Sequence, residues 1–168
     1  MGKVNDRYFV NIAGVGFDAI VVNAVNTSFK HIKGSLAYLM ALFKVLSTYR
    51  NVKVRVSIGE TSLTTKSLLV AVGNGACYGG GMKIAPGAIL DDGLLDLCLV
   101  GDVTKLEILQ TLPKIFSGRH VTHPKVVMLK GQEIKIEAQA PMVIQADGEI
   151  IGQAPAVIQV VSKALTIM

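Results

Sequence analysis

Apolar and polar residues alternate along much of the chain, most regularly between residues 52 and 58. Every second residue there is apolar and those between are polar or charged, which predicts a strand buried on one face. Residues 68–72 are apolar throughout, which predicts a central strand covered on both faces. Shorter apolar segments bounded by turn residues predict the remaining strands. These segments are residues 8–13, 62–66, 94–100, 126–129, 133–138, 141–145, 150–151, 157–161 and 165–168.

Two segments have helical periodicity instead. Residues 36–46 and 104–116 carry apolar side chains at spacings of three and four, which predicts helices packed on a core. Residues 17–25 predict a shorter third helix. The strands after residue 50 mostly follow one another without helices between them. The pattern therefore predicts a mainly β fold, an antiparallel β-sandwich with added helices, rather than a parallel doubly wound sheet.

Composition indicates one globular domain spanning residues 1–168, with no repeat or linker. Hydrophobic residues make up 51% of the chain and the mean hydropathy is +0.49, which suits a tight core or an apolar surface that meets a partner. No stretch approaches the roughly 20 apolar residues of a membrane-spanning helix, and the N-terminus does not resemble a signal peptide. Cys77 and Cys98 form no CxxC pair, so we expect reduced thiols and a cytoplasmic location.

The net charge of +5 raises nucleic-acid binding as an alternative. The sequence has no zinc-finger spacing, no RNP-like aromatic strand and no dense run of Lys and Arg, so we expect no nucleic-acid partner. His120 and His123 are three residues apart, but Gly118 and Pro124 interrupt the chain around them. Without a convincing third ligand, we expect no metal at these histidines.

Residues 14–19 match the dinucleotide-binding pattern G-x-G-x-x-A. That chemistry also needs an acidic residue about 20 positions further on to hold the ribose. No Asp or Glu lies between Asp18 and Glu60, and a helix is predicted where the second strand should be. We therefore interpret Gly14 and Gly16 as a tight turn between a strand and a helix.

The glycine cluster of residues 73–81 has the glycine spacing of a P-loop, but Gly81 stands where Lys is required. What remains is a loop whose backbone N–H groups could approach an anion, with Lys83 as a nearby charge. A plain glycine-rich loop at a crowded sheet edge accounts for the same residues. The candidate phosphate-side residues are Asn74, Gly79, Gly80, Gly81 and Lys83.

Acidic residues concentrate in two turns, residues 91–96 and residues 147–149. An Asp-Gly pair between apolar segments is by default a structural turn. In the first turn, Asp91, Asp92 and Asp96 repel one another unless something positive or a set of donors offsets them. A hard cation held by carboxylate and carbonyl oxygens would do so.

The second turn, Asp147-Gly148-Glu149, places two carboxylates on either side of a glycine. Such a pair can share one small site, and it suits holding Mg²⁺ and activating a hydroxyl during phosphoryl transfer. We expect the two acidic turns to meet in space.

Four motifs occur in one order along the chain: residues 11–19, Asn74 with the three glycines, residues 84–88 with residues 91–96, and residues 147–149. Together they resemble the C-terminal domain of the bacterial diacylglycerol kinase-like lipid kinases, relatives of sphingosine kinases and, more distantly, of NAD kinases. The resemblance covers nearly the whole chain. It implies a β-sandwich that packs against an N-terminal nucleotide-binding domain. That domain's Gly-Gly-Asp-Gly-Thr motif is absent here, so the chain resembles half of an enzyme and should be inactive alone.

By this resemblance, Asp147 and Glu149 face the nucleotide and the acceptor hydroxyl, and one of them is the proton acceptor. The missing domain's own Asp competes for that role. A Mg²⁺ site, separate from the Mg²⁺ carried by ATP, is implied at the Asp92 carboxylate and the backbone carbonyls of Ile89 and Leu94. Asp18 and the helix of residues 36–46 match the region that receives the lipid.

The implied function is half of a kinase that uses ATP and Mg²⁺ to phosphorylate a lipid hydroxyl, with diacylglycerol as the model acceptor. A non-lipid acceptor, as in NAD kinases, and a non-catalytic regulatory domain of the same fold stay open as alternatives. The implied partners are the N-terminal domain, the lipid and the inner face of a membrane. Self-association into a homodimer is left open.

Overall fold

The computed structural model describes residues 1–32, 35–162 and 164. Within them the chain forms twelve strands, three α-helices and a short 3-10 helix at Arg119–Thr122. The strands are β1 (Gly2–Val4), β2 (Arg7–Phe9), β3 (Ile12–Gly16), β4 (Val52–Ile58), β5 (Thr61–Ser67), β6 (Leu69–Gly73), β7 (Leu95–Val100), β8 (Val126–Gly131), β9 (Glu133–Ala138), β10 (Val143–Ala146), β11 (Glu149–Gln153) and β12 (Ala156–Val160). The helices are α1 (Phe17–Ser28), α2 (Ser35–Thr48) and α3 (Lys105–Ile115). The strand predicted at residues 165–168 lies outside the described residues.

The strands form two six-stranded antiparallel sheets packed as a sandwich. The outer sheet has the order β2-β1-β12-β9-β4-β5, and the helix-covered sheet has the order β11-β10-β3-β6-β7-β8. Apolar side chains from both sheets, such as Val56, Val72 and Ile136, form the core between them. The predicted mainly β sandwich with added helices is confirmed.

A second core lies between the helix-covered sheet and helices α1 and α2, with α3 at its rim. Strand β6 is buried along its whole length because it is central in its sheet and covered on both faces. The continuous apolar run at residues 68–72 was therefore a sound predictor of a central strand. No helix among the described residues is both long enough and apolar enough to span a membrane.

The single strand predicted at residues 8–13 is wrong. The chain instead leaves the outer sheet after β2, bends at Val10 and Asn11, and enters the helix-covered sheet as β3. The apolar pattern continues through the bend because each of the two short strands has its own buried residues, Phe9 before it and Ile12 after it. This crossing point carries the candidate site.

The turn at Gly16 joins β3 to α1 without forming a dinucleotide site. Gly16 has a φ of +105°, and a Cβ there would lie 2.9 Å from the Leu68 carbonyl oxygen, so the turn requires glycine. Strand β3 pairs antiparallel with both β6 and β10. The βαβ unit on which dinucleotide binding depends is therefore not formed here.

Candidate functional site

The Asp147 carboxylate is anchored at the point where the chain crosses between the sheets. Its Oδ2 accepts the backbone N–H of Val10 at 2.6 Å, and its Oδ1 accepts those of Asn11 at 3.0 Å and Ile12 at 2.9 Å. Asp147 has a φ of 46°, in the left-handed region. These hydrogen bonds tie the turn between β10 and β11 to the bend before β3, which gives Asp147 a structural role in addition to its predicted catalytic one.

Both backbone polar groups of Gly148 are also hydrogen-bonded. Its N–H donates to the Gln145 Oε1 at 2.9 Å, and its carbonyl accepts the Asn26 Nδ2 of α1 at 3.1 Å. Glu149, the first residue of β11, is exposed, and no hydrogen bond or ion pair of its side chain is found within the described structure. Of the two predicted catalytic carboxylates, Glu149 is thus the one whose side chain carries no structural hydrogen bonds.

A groove lies in front of this turn, and most of its wall is apolar. We call it the polar groove for the polar groups that its wall also carries. Asn11, Asn26, Gln145 and Asp147 contribute polar groups to its wall, and the glycine cluster reaches it at Gly79. Tyr38 of α2 and Tyr78 of the glycine-rich loop also line the groove. The second half of the sequence and its first 26 residues therefore meet in one concave site.

The same two tyrosines line a second, apolar cavity of about 80 Å³ that is partly open to solvent. The cavity lies between the helix-covered sheet and the helices. Side chains of α2 and α3, including Leu42, Ile108 and Leu112, form much of its wall. Because Tyr38 and Tyr78 belong to both walls, the apolar cavity and the polar groove adjoin.

Asp18, in the first turn of α1, is the aspartate in the wall of the apolar cavity. It is 1% exposed, and its Oδ1 has no hydrogen-bond partner. Burial raises the pKa of Asp18 to about 6, and the hydrogen bond from the Gln145 amide opposes that rise. Burial thus moves the pKa of this cavity-wall carboxyl towards neutral pH.

Comparison with known proteins decides the family. A family model described as the YegS C-terminal NAD kinase beta sandwich-like domain matches residues 11–168. The chain belongs to this family. The matched region includes the crossing point, the glycine cluster and both acidic turns.

Curated relatives of this family member carry the name diacylglycerol kinase. The one from Staphylococcus epidermidis (strain ATCC 35984) is 32% identical over 156 residues, which cover 93% of this chain and 49% of the relative. The one from Mycobacterium tuberculosis (strain H37Rv) is 29% identical over 174 residues, covering 100% of this chain and 56% of the relative. The chain thus spans about half the length of the curated relatives it matches.

Solved structures agree on the fold. A diacylglycerol kinase structure from Bacillus anthracis str. Sterne matches with a TM-score of 0.63 at 18% identity, covering 96% of this chain and 49% of that one. A second structure from the same organism matches with a TM-score of 0.74 at 23% identity, covering 96% of this chain and 52% of that one. At these identities the likeness concerns the architecture alone.

In this family member a lysine offsets the negative charge of the first acidic turn. The Lys130 Nζ, at the end of β8, lies 3.1 Å from the Asp96 Oδ2 and 3.7 Å from the Asp92 Oδ2, and it donates to the Gly87 carbonyl at 2.8 Å. Burial raises the pKa of Asp96, Lys130 opposes that rise, and the Asp92 charge adds to it. The mutual repulsion of the aspartates therefore does not by itself require a metal ion.

The Mg²⁺ assignment to Ile89, Asp92 and Leu94 stays a prediction. The Asp92 Oδ1 accepts the Leu94 N–H at 2.9 Å, which leaves Oδ2 on the side of Lys130. One carboxylate oxygen with backbone carbonyls fits a largely hydrated Mg²⁺, which keeps several waters and takes one or two carboxylates. Lys130 competes with such an ion for the same oxygen. No cluster of three His, Cys, Asp or Glu side chains suited to a metal occurs in the described parts of the chain.

The two acidic turns do not meet directly. They lie at the same end of the helix-covered sheet, where Ala146 pairs with Ala13, Ile12 with Gly73, and Gly73 with Asp96. Strands β3 and β6 separate them, so three strand spacings of about 4.8 Å place them roughly 14 Å apart. The expectation of one shared site is therefore corrected: the two turns form separate sites at the same end of the helix-covered sheet.

The glycine cluster contributes backbone at the groove, while Asn74 has a different partner from the predicted anion. The Asn74 Nδ2 donates to the Val10 carbonyl at 2.7 Å, and the Asn74 N–H donates to the Asn11 carbonyl at 2.9 Å. Gly79, Gly80 and Gly81 are exposed and all have positive φ. Lys83 is exposed and its N–H is bonded to the Ile115 carbonyl. The anion-binding role of these residues stays a prediction.

Sequence reasoning missed Gln145, Lys130, Tyr38 and Tyr78. Gln145 and Lys130 each interrupt or end an apolar strand. A polar residue in such a strand is a weak indication that its side chain makes a specific polar contact. The tyrosines have no local signal, because their shared position depends on how α2 packs beside the glycine-rich loop.

Proposed function

We propose that this chain is the acceptor-binding half of an ATP- and Mg²⁺-dependent kinase that phosphorylates a hydroxyl of a lipid of the diacylglycerol type. The observation that carries the proposal is an apolar cavity that adjoins a polar, carboxylate-bearing groove through Tyr38 and Tyr78. Acyl chains need an apolar enclosure, whereas the hydroxyl that is phosphorylated needs polar partners. The two compartments meet those needs side by side.

Three carboxylates have separate roles in this proposal. Asp18 in the cavity wall accepts a hydrogen bond from the lipid hydroxyl through its unpartnered Oδ1. When the hydroxyl oxygen attacks the phosphoryl group, its hydrogen bond to Asp18 breaks and its proton passes to Glu149. Asp147 holds the turn that carries Glu149. ATP and its Mg²⁺ supply the phosphoryl group and neutralise its charge when the second half of the enzyme brings them. The names of the relatives support a kinase, and their doubled length supports a second half.

The proposal is tested with the chain joined to a nucleotide-binding half, either the one encoded with it or that of a relative. Phosphate transfer from labelled ATP to diacylglycerol in mixed micelles is the readout. Ile108→Trp should fill the cavity and raise the KM for diacylglycerol roughly ten-fold or more. Leu109→Trp is the matched control, because Leu109 is the next residue of α3 but is 41% exposed and lies outside the cavity wall.

Equal KM values for diacylglycerol in the two tryptophan variants would show that the lipid does not bind in the cavity. Transfer to NAD in place of diacylglycerol would favour the non-lipid acceptor. No transfer to either acceptor would favour a non-catalytic domain.

The same proposal includes contact with an anionic membrane surface. Helix α2 exposes large apolar side chains, among them Leu39, Met40 and Phe43, although its other face is buried. Lys44 within α2 and Lys30 between α1 and α2 are exposed too. Apolar side chains rimmed by cations suit the headgroup region of anionic lipids. Co-sedimentation with phosphatidylglycerol vesicles should fall in Phe43→Ser, whereas neutral phosphatidylcholine vesicles should bind less of the unaltered chain.

A further inference from the structure

Gln145 is the one side chain in the described structure that hydrogen-bonds both Asp18 and the second acidic turn. It lies near the end of β10 and is 1% exposed. Its Nε2 donates to the Asp18 Oδ2 at 3.4 Å, and its Oε1 accepts the Gly148 N–H at 2.9 Å. A fully buried amide with a partner at each end has a fixed position.

The direction of the amide follows from its partners. The Gly148 N–H can only donate, so it requires the oxygen of Gln145. The nitrogen must then face Asp18, whose carboxylate can accept. The two contacts therefore support each other, and neither can reverse without breaking the other.

The backbone beneath this pair is fitted to it. A Cβ at Gly14 would collide with the Asp18 carboxylate and would lie 2.8 Å from the Gln145 Nε2. Gly14 pairs directly with Gln145 between β3 and β10. The first glycine of the G-x-G turn thus makes room for the contact between Asp18 and Gln145, a reason for glycine at this position that does not involve a nucleotide.

We propose that Gln145 is a positioning residue that links Asp18, in the wall of the apolar cavity, to the Asp147-Gly148-Glu149 turn. An acceptor hydroxyl bound at Asp18 is thereby held in register with the turn that carries Glu149. This consequence rests on the proposed function, whereas the link itself does not.

The link makes the Gly148 peptide sensitive to the charge on Asp18. When Asp18 is ionised, it draws the Gln145 Nε2–H towards itself and polarises the whole amide, which strengthens the hydrogen bond from Gly148. Protonation of Asp18 weakens both bonds. The titratable groups coupled to Asp18 are uncharged near neutral pH. Burial, and after it the Asp18 charge, raises the pKa of Tyr38 in α2, of Tyr49 just after α2, of Tyr78 in the glycine-rich loop and of Cys98 in β7.

The experiment follows the Gly148 amide resonance of the 168-residue chain by NMR between pH 4.5 and 8. In the unaltered chain the resonance should move with a midpoint near 6, the pKa of Asp18. Asp18→Asn should abolish this movement, and so should Gln145→Met, which keeps the length of the side chain but makes neither bond. Gln145→Met should also shift the Asp18 midpoint upward by about one pH unit, since a donor to the carboxylate is lost.

Asn26→Ala is the matched control. It releases the Gly148 carbonyl without touching Asp18, so the movement with a midpoint near 6 should persist. A Gly148 resonance that still titrates at that midpoint in either Asp18→Asn or Gln145→Met would overturn the link. The Asp18→Asn result decides the matter even if Gln145→Met does not fold.

In the completed kinase, Gln145→Met should lower kcat for diacylglycerol roughly ten- to hundred-fold while the KM for ATP is unchanged. An unchanged kcat would limit Gln145 to structure and overturn its positioning role. If the unaltered enzyme phosphorylates no lipid while the NMR link is present, the proposed function fails and the link between Asp18 and Gly148 stands.

Discussion

The Asp147 carboxylate accepts the backbone N–H of Asn11 across 136 positions of sequence, at the point where the chain passes from one sheet to the other. Its bonds to Val10 and Ile12 complete a set of three backbone donors. Asp147 is therefore a structural anchor as well as a candidate catalyst. Loss of activity in an Asp147 variant has two explanations, and stability measurements are needed to separate them.

Asp147→Asn should destabilise the chain by about 1.5–3 kcal/mol, because the charge that receives three N–H donors is lost. Asn tolerates left-handed φ, so the loss reports the hydrogen bonds rather than backbone strain. Glu149→Gln should change the free energy of unfolding by less than about 0.5 kcal/mol, as for other exposed residues. Urea unfolding of the two variants is the measurement.

Equal stability of the Asp147→Asn variant and the unaltered chain would contradict the anchoring role. In the completed kinase, Glu149→Gln should abolish transfer without a loss of stability. Unaltered phosphate transfer in the Glu149→Gln variant would show that another residue is the proton acceptor.

Lys130→Met should destabilise the chain by about 1–3 kcal/mol, because Asp96 is buried and loses its charged partner. The control is Lys135→Met, which breaks the exposed ion pair with Glu133 and should leave the stability nearly unchanged, because solvent screens that pair. Chemical denaturation near neutral pH measures both.

Adding Asp96→Asn to Lys130→Met should recover part of the loss, since the unpaired buried charge is then removed. If Lys130→Met and Lys135→Met are equally stable, solvent already stabilises the charge of the Asp96 carboxylate. Titration with Mg²⁺ in the same variants tests the metal prediction, because removing Lys130 should raise the affinity if Asp92 binds the ion.

Local periodicity predicted most of the sandwich. Strand β4 has one face in the core and one in solvent, so its alternation was visible, and β6 is covered on both faces, so its continuous apolar run was visible too. The crossing at Val10 was not predictable in this way. Two short strands in different sheets produce one mainly apolar segment interrupted by Asn11. The break between them shows only in the hydrogen bonds that Val10 and Asn11 donate to the distant Asp147.

The candidate site was predictable where the backbone is unusual and hidden where side chains meet across the fold. Asp-Gly and Gly-Gly steps marked the acidic turns and the glycine cluster, because left-handed backbone restricts residue choice. The partners of those turns, Gln145 and Lys130, lie in strands with no such restriction. The distance between the turns depends on strand order, which a single sequence does not encode locally.

The two cysteines should differ sharply in reactivity. Cys98 is fully buried, and burial raises the pKa of its thiol to about 12, whereas Cys77 is partly exposed. A thiol reagent at mildly alkaline pH should therefore modify one cysteine in the native chain and both after unfolding. Cys77→Ser should remove the fast-reacting group. Rapid modification of Cys98 in the native state would indicate that the helix-covered core opens readily.

Asp18 should make the chain less stable as the pH rises. Its folded-state pKa of about 6 lies above the ordinary value of 3.8, so the native state binds the proton more tightly than the unfolded chain does. The free energy of unfolding should then fall between about pH 4 and pH 6 by up to about 3 kcal/mol from this group alone. Asp18→Asn removes the ionisation, and it should stabilise the chain by roughly 1–3 kcal/mol at about pH 7 but have little effect at about pH 4. Comparing the two chains by urea unfolding at each pH cancels the contributions of the other titrating groups. A stability difference that is the same at both pH values would show that Asp18 stays ionised in the cavity wall.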